Sequence, residues 1–266
     1  MSRIGLIAGN GRFPLYFADS ARKVGNQVIA VAIHEETFPE LGNMVEQIHW
    51  FHVGQLQGMI DTFLRQDIHE IVMAGKIAKT RMFNHLQPDE RLQRVFDRTP
   101  IRNDDALLKA LAEEFISEGI HICDSTIFLS SLLPTGGNLT RRKPSEEEWL
   151  DVNYGYEIAK KVAGLDIGQT VVVKNRAILA VEAIEGTDEA ILRGGKLGNG
   201  GVTVVKVARP YQDMRFDIPV VGLDTIRTLL QVRAGCLALE EKKTLLLDRA
   251  ELIAMADAAD LAIVAI

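Results

Sequence analysis

Two rhythms of apolar spacing alternate along the chain. Residues 3–8 form a short apolar run of strand character, broken at Gly9-Asn10-Gly11-Arg12-Phe13-Pro14. A helical spacing follows through Leu15, Ala18, Ala21 and Arg22. Gly25-Asn26 stops that helix, and residues 27–33 read as a second buried strand. Strand, glycine turn, helix and strand make a βαβ unit, right-handed by the usual crossover rule. The pattern repeats with a strand at 45–53, a helix at 55–65 and a buried strand at 70–74 that ends in Gly75-Lys76. Asn103-Asp104-Asp105-Ala106-Leu107-Leu108 opens an amphipathic helix with Asn103 as its N-cap. A strand at 120–123 and a short helix at 125–133 complete this half.

Periodicity then lapses. Residues 133–145 carry Pro134, Gly136, Gly137, Thr140 and Pro144, which predicts a linker and hinge. Domains of 1–133 and 134–266 follow from that seam. Ser145-Glu146-Glu147-Glu148 reads as a capping box opening a helix to about residue 163. Strands at 171–174 and 177–184 form a hairpin about Asn175-Arg176. Thr187 is placed to cap a helix at 188–193, and Gly194-Gly195 with Gly198-Asn199-Gly200-Gly201 predict a flexible loop. Residues 202–207 are a buried strand ending near Lys206, 211–219 are irregular, and Gly222-Leu223-Asp224-Thr225 is a strand-to-helix corner. The remaining segments alternate strand and helix. The expectation is an α/β protein of two domains, a Rossmann-like βαβ domain followed by a mixed α/β domain.

Composition narrows the classes of function. With 266 residues, 47% of them hydrophobic, the chain can bury a full core. A formal net charge of −6 with no basic block argues against general nucleic-acid binding. Two cysteines, Cys123 and Cys236, suggest a reducing compartment rather than a disulfide framework or a zinc site. No apolar run reaches the length of roughly 20 residues that a membrane span needs, and no secretory core follows Met1. A cytoplasmic protein is expected, with peripheral contact at the inner membrane surface and a homodimer both left open.

Three places could carry chemistry. The first is the turn at Gly9, Asn10 and Gly11, where glycines let backbone amides approach an anion at a helix N-terminus. Glu35, just past the second strand, stands about where a dinucleotide fold puts its ribose-binding acid. Pro14 replaces the third glycine of that fingerprint, so a nucleotide loop and a plain tight turn are both readings of it. The second place is Lys76, Lys79 and Arg81 after the strand at 70–74, a candidate pyrophosphate clamp or an ordinary solvated loop. The third is a set of acidic corners: Glu182, Glu185 and Asp188; Asp213 and Asp217; and Asp224. Each single acid reads first as a surface ion pair. Together, with Lys206, Arg209 and Arg215 as phosphate partners, they suit hard-cation phosphate chemistry. His-Glu-x-x-His, Gly-x-Ser-x-Gly and Walker patterns are absent from the sequence.

Several motifs resemble one family. They are Ile7-Ala8-Gly9-Asn10-Gly11-Arg12-Phe13-Pro14, Ala74-Gly75-Lys76, Asp104-Asp105-Ala106-Leu107-Leu108 and Asp166-Ile167-Gly168-Gln169-Thr170-Val171-Val172. Gly222-Leu223-Asp224-Thr225 belongs with them, and the most specific are Glu185-Gly186-Thr187-Asp188 and Gln212-Asp213-Met214-Arg215-Phe216-Asp217. The chain is similar over nearly its whole length to the UDP-2,3-diacylglucosamine pyrophosphatases of lipid A biosynthesis, the branch unrelated to calcineurin-like phosphoesterases. The resemblance implies a Mg²⁺-dependent hydrolase releasing UMP and lipid X by water attack on the β-phosphorus. It also implies a nucleotide-proximal first domain and a lipid-proximal second one. It points to Asp224, Asp213 and Arg215 as catalytic residues, and to Asp224, Asp213, Asp217 and Glu185 as metal ligands. Gly9, Asn10, Gly11, Lys76, Asp104, Asp105, Gln169, Thr187, Asp188, Lys206, Gln212 and Thr225 are the substrate-binding candidates. The alternative is a nucleotide-sugar or dinucleotide binding protein without hydrolysis. An interaction scaffold has only the acidic surface behind it.

Overall fold

The computed structural model describes residues 2–77, 87–99, 104–216 and 218–266, the side chains of Asp104 and Asp105 excepted. They group into two compact units: 1–129 with 214–217, and 130–213 with 218–266.

The first unit is built on a parallel sheet of β1 (Arg3–Ala8), β2 (Gln27–Ile33), β3 (Gln47–Phe51), β4 (Glu70–Ala74) and β5 (His121–Ile122). Its spatial order, β3-β2-β1-β4-β5, places β1 at the centre between β2 and β4. That order is what right-handed crossovers on either side of a first strand produce. α1 (Phe13–Lys23) buries Phe13, Phe17, Ala18 and Ala21. α2 (Leu56–Arg65), α3 (Glu90–Arg98) and α4 (Asp104–Ser117) share one apolar cluster with Ile29, Val31, Ile33 and Ile71. The alternate residues of each strand therefore serve opposite helical layers. Phe216, from the later segment, is part of that same cluster and 4% exposed. Met214 fixes the segment, its carbonyl accepting from the Ser125 amide at 2.9 Å and the Ser125 hydroxyl at 3.1 Å.

The second unit carries a mixed six-stranded sheet in the order β6-β13-β11-β9-β7-β8. β9 (Thr203–Lys206), β11 (Cys236–Leu239) and β13 (Ala262–Ala265) run parallel. β7 (Thr170–Lys174) and β8 (Ala177–Val181) form the expected antiparallel hairpin, and β7 also pairs antiparallel with β9. Its turn residues Asn175 and Arg176 both have positive φ, 51° and 57°, and their amides are held by the buried Asp151 carboxylate. β6 (Gly137–Asn138) pairs antiparallel with β13. Part of the stretch read as a seam is thus woven into the sheet, because backbone pairing needs no apolar periodicity. A parallel pair, β10 (Val220–Val221) and β12 (Leu245–Leu246), stands apart from it.

α5 (Glu146–Gly164) opens with the expected capping box, Ser145 and Glu148 satisfying each other's amides. α6 (Thr187–Gly198) runs through Gly194 and Gly195, where a loop was expected. Both glycines are buried, and an added Cβ would lie 2.5 Å from Val172 or 2.3 Å from Val232. They are helical because the helix touches the sheet and α7 (Leu223–Gln231) with no room for side chains. α8 (Arg249–Ala258) completes the unit. Among the described residues, no helix is long and apolar enough to cross a membrane.

Candidate functional site

In the first unit the glycine turn after β1 is zipped to the end of β4. The Gly9 amide donates to Ala74 O at 2.8 Å, and the Asn10 amide and carbonyl pair with the carbonyl and amide of Lys76. A Cβ at Gly9 would stand 2.5 Å from Lys76 O, and one at Gly75 2.7 Å from Asn10 O. The two glycines thus permit a close backbone crossing, and the Gly9 and Asn10 amides are taken by it. Gly11, at φ 96°, turns the chain into α1, whose N-terminus has no side-chain cap and carries Pro14 in its first turn. The Asn10 side chain donates to Glu36 O at 3.1 Å, tying the loop after β2 to the same turn. Gly9, Asn10, Gly11 and Lys76 are thereby brought together at the carboxyl edge of the first sheet. Lys79 and Arg81 lie outside the described residues. The backbone at Asp104 and Asp105 opens α4, and their side chains are likewise outside.

In the second unit the carboxyl ends of β8 and β9, the start of β7 and the N-terminus of α6 converge on one polar cluster. Lys206 ends β9 and is 6% exposed. Its ammonium donates to the Thr187 hydroxyl at 2.8 Å and faces the Thr170 hydroxyl at 3.4 Å. The Thr187 hydroxyl donates in turn to Glu182 Oε1 at 2.7 Å. The other Glu182 oxygen accepts from the Gln169 amide at 3.1 Å. Burial alone would push the Glu182 carboxyl up, but the Lys206 charge with the Thr170, Thr187 and Gln169 hydrogen bonds outweighs it, and the group is held below its ordinary range. With its amide turned to satisfy both ends, Gln169 donates to Val207 O and accepts from Arg209, each at 3.3 Å. Arg209 also pairs with Asp166 at 2.8 Å.

Gly186, not Thr187, is the N-cap of α6, and Thr187 is its first helical residue. The hydroxyl is therefore free of capping duty and is turned to Glu182 and Lys206. Asp188 follows in the first turn, with a buried Oδ1 atom that has no hydrogen-bond partner among the described residues. Gln169, Thr187 and Lys206 are assembled here, with Asp188 adjacent on the helix.

The remaining acids sit differently. Asp224 lies in the first turn of α7, its side chain 87% exposed and paired with Arg227 at 2.6 Å. Thr225 beside it is buried. Glu185 accepts from its own amide and is bonded by Arg193 at 2.6 Å and the Ala183 amide, which keep its carboxyl below the ordinary range. Gln212 folds back, accepting from the Arg209 amide at 3.3 Å and donating to Asp213 O at 3.4 Å. Asp213 belongs to the second unit and Arg215 to the first, where its guanidinium lies 5.2 Å from the Phe216 ring centre. Asp217 lies outside the described residues. Among those described, no three Asp, Glu, His or Cys side chains converge as a metal cage.

Glu182, one acid among several in the sequence, gains Lys206 as a partner because the sheet order sets β9 and the β7–β8 hairpin side by side, and a further residue carries no mark in the sequence at all. Glu240, just past β11 and 5% exposed, accepts from Lys160 at 3.0 Å, Lys243 at 2.6 Å and the Ala208 amide at 2.9 Å. It anchors the start of the loop that carries Arg209, Gln212 and Asp213. No sequence signal marks Glu240, since Lys160 and Ala208 are remote along the chain.

The chain was compared with known proteins. A curated relative, the UDP-2,3-diacylglucosamine pyrophosphatase LpxI of Caulobacter vibrioides, is 28% identical over 269 residues, covering 97% of this chain and 95% of the relative. Among solved structures, the biotin carboxylase domain of a thermophilic 2-oxoglutarate carboxylase aligns at 12% identity with a TM-score of 0.27, over 65% of this chain and 35% of that one. UDP-glucose 4-epimerase from Bifidobacterium longum aligns at 11% identity and a TM-score of 0.30, over 51% of this chain and 41% of that one. The chain thus spans well under half the length of these solved structures, and likeness at that level carries no argument about function. Residues 3–132 match the LpxI N-terminal domain and residues 135–264 the LpxI C-terminal domain. With both domains in order across its length, the chain belongs to the LpxI family.

Proposed function

We propose that this protein hydrolyses the phosphoanhydride of UDP-2,3-diacylglucosamine, giving UMP and lipid X in lipid A biosynthesis. The observation that carries this reading is the match of both LpxI domains along the chain, beside a relative of nearly equal length named for that activity. In the proposed step a water oxygen bonds to the β-phosphorus as the bond from that phosphorus to the bridging oxygen breaks. The bridging oxygen leaves with UMP, and the water gives up a proton. The turn that brings Gly9, Asn10, Gly11 and Lys76 together is assigned to the nucleotide. The cluster of Gln169, Thr187, Asp188 and Lys206, with Gln212 and Thr225, is assigned to the phosphates and the sugar. Lys206 and Arg215 offset charge on the phosphoryl oxygens. Leu165, Ile167, Ile184 and Tyr211, large side chains left exposed in the second unit, favour placing the acyl chains and any contact with the inner membrane surface there.

A divalent ion, Mg²⁺ on this reading, neutralises phosphate charge and acidifies the attacking water when bound. The ion would be held in the mode in which one or two carboxylates share it with substrate phosphates. The buried Asp188 Oδ1, without a hydrogen-bond partner among the described residues, supports a bound group beside this cluster. Asp224, whose exposed partner Arg227 costs little to release, is the first candidate ligand or base, and Asp213 and Asp217 are the next candidates. Glu185 is the weakest of the four because its oxygens already serve Arg193 and backbone amides.

The test is incubation with UDP-2,3-diacylglucosamine with and without Mg²⁺. UMP should appear only with the ion, and in ¹⁸O-water the label should enter lipid X. Label in UMP would refute attack at the β-phosphorus, and no UMP under either condition would refute the hydrolase.

A further inference from the structure

We propose that Glu182 is a positioning residue of this site: acting through the Thr187 hydroxyl, it fixes the Lys206 ammonium at the carboxyl edge of the second sheet, aimed for a phosphoryl oxygen. The inference rests on the hydrolase reading for the identity of that anion, and on the geometry for the rest.

The hydrogen bonds run in one direction. A threonine hydroxyl has a single proton, and that of Thr187 goes to Glu182 at 2.7 Å. Only its lone pairs then face Lys206, which donates to them at 2.8 Å. The carboxylate therefore orients the hydroxyl, and the oriented hydroxyl accepts only from an N–H. Glu182 is itself held, because its second oxygen accepts from the Gln169 amide and its own amide donates to Thr170 O at 2.9 Å. Gly168 packs on the Glu182 carbonyl so closely that a Cβ would stand 2.0 Å away. A long, flexible lysine is thus fixed at both the stem, by burial in β9, and the head.

Electrostatics say why such a device belongs at a site. Lys206 meets the N-terminal residue of α6, where the helix already presents the positive end of its dipole. A cation is unfavourable there unless an anion shares the place. Glu182 supplies one negative charge at the side, and the field of Lys206 with the helix end still favours a further anion. Stability does not explain the arrangement, since a buried ion pair is often no better than an apolar pair of the same volume. The convergence of three strand ends and a helix N-terminus is where open α/β sheets bind ligands.

The experiment compares wild type with Glu182→Ala, Glu182→Gln, Thr187→Val and Thr187→Ser, with UMP release from UDP-2,3-diacylglucosamine and thermal unfolding measured on each. Glu182→Ala and Thr187→Val should lower kcat at least about tenfold while KM moves less than about threefold, because an oriented charge acts mainly in the transition state. Thr187→Ser, which keeps the relay, should retain activity within about threefold, and Glu182→Gln, which keeps the shape without the charge, should fall between. A folded Glu182→Ala or Glu182→Gln with wild-type kcat, or equal activity in the Ser and Val variants, overturns the proposal. A second readout needs no turnover. In a short acetic anhydride pulse read by mass spectrometry, Lys206 labelling relative to exposed Lys196 should rise at least about threefold in the Glu182 variants, as a less firmly held, less charged amine reacts faster. Should wild type release no UMP, the hydrolase reading fails by itself, and unchanged Lys206 labelling would then overturn the positioning role separately.

Discussion

Asp224 holds its charge almost wholly in solvent, with an i,i+3 arginine as its partner. An exposed pair of this kind contributes at most about 1 kcal/mol, so the fold has little use for the residue. Asp224→Ala should therefore shift the unfolding midpoint by no more than about 2–4 °C yet cut UMP release by at least about 100-fold. Calorimetry and turnover on one preparation would check both halves, and near wild-type turnover would remove Asp224 from the catalytic set. Glu182 is the opposite case, half-buried and held by the Lys206 charge and its hydrogen bonds. Its folded carboxyl is lowered, so its contribution is complete above the unfolded value near about 4.3 and is lost as the pH falls through the lower folded value. Melting curves between roughly pH 3 and 6 should fall less steeply on the acid side in Glu182→Gln than in wild type. Parallel curves would show the pair uncoupled. The sequence placed both acids at strand ends or helix starts, and only the family resemblance ranked Asp224 first. Glu182 is 24 positions from Lys206, and only the order β9-β7-β8 makes them neighbours.

Elements whose signals are local were legible in advance. The change of period across Gly9–Pro14, the capping box at Ser145 and Glu148, and the Asn175-Arg176 turn each rest on adjacent residues, and each forms where its residues indicate. Elements made by contact were not legible. Glycine pairs read as breakers, yet Gly194 and Gly195 are helical because Val172 and Val232 occupy the space their side chains would need. Residues 137–138 have no apolar pattern and become a strand by backbone pairing with β13. The glycines give a prediction of reversed sign. In an ordinary helix interior Gly→Ala stabilises by about 1 kcal/mol, whereas Gly195→Ala should destabilise, by about 1–3 kcal/mol. Urea unfolding measures it, and a stabilised variant would mean the helix can move off Val232.

At the scale of the molecule, the family's two domains are contiguous in sequence, 3–132 and 135–264, but the compact units are not. Residues 214–217 lie within the second family domain and pack with the first unit. Phe216 is the side chain that makes this energetic rather than incidental. Phe216→Ala should cost about 3–5 kcal/mol, and the loss should register in the first unit, as faster amide exchange in β1 and β4. Unchanged protection there would place the Phe216 contacts elsewhere. A seam chosen by composition finds where the chain pauses, and it has no means of finding a later segment that returns.

That return bears on how members of the family can exchange parts. A chimera joined at residues 133–134 would pair one parent's first sheet and helices with the other parent's Gln212-Asp213-Met214-Arg215-Phe216 motif. The ring at 216 would then enter a cavity shaped by a different lineage, four residues after Gln212 and three after Asp213. Mismatch there would displace the motif before it disturbed either sheet. The halves are therefore expected to co-vary across this one aromatic insertion, and recombinants should regain activity when the cavity residues around position 216 travel with the ring.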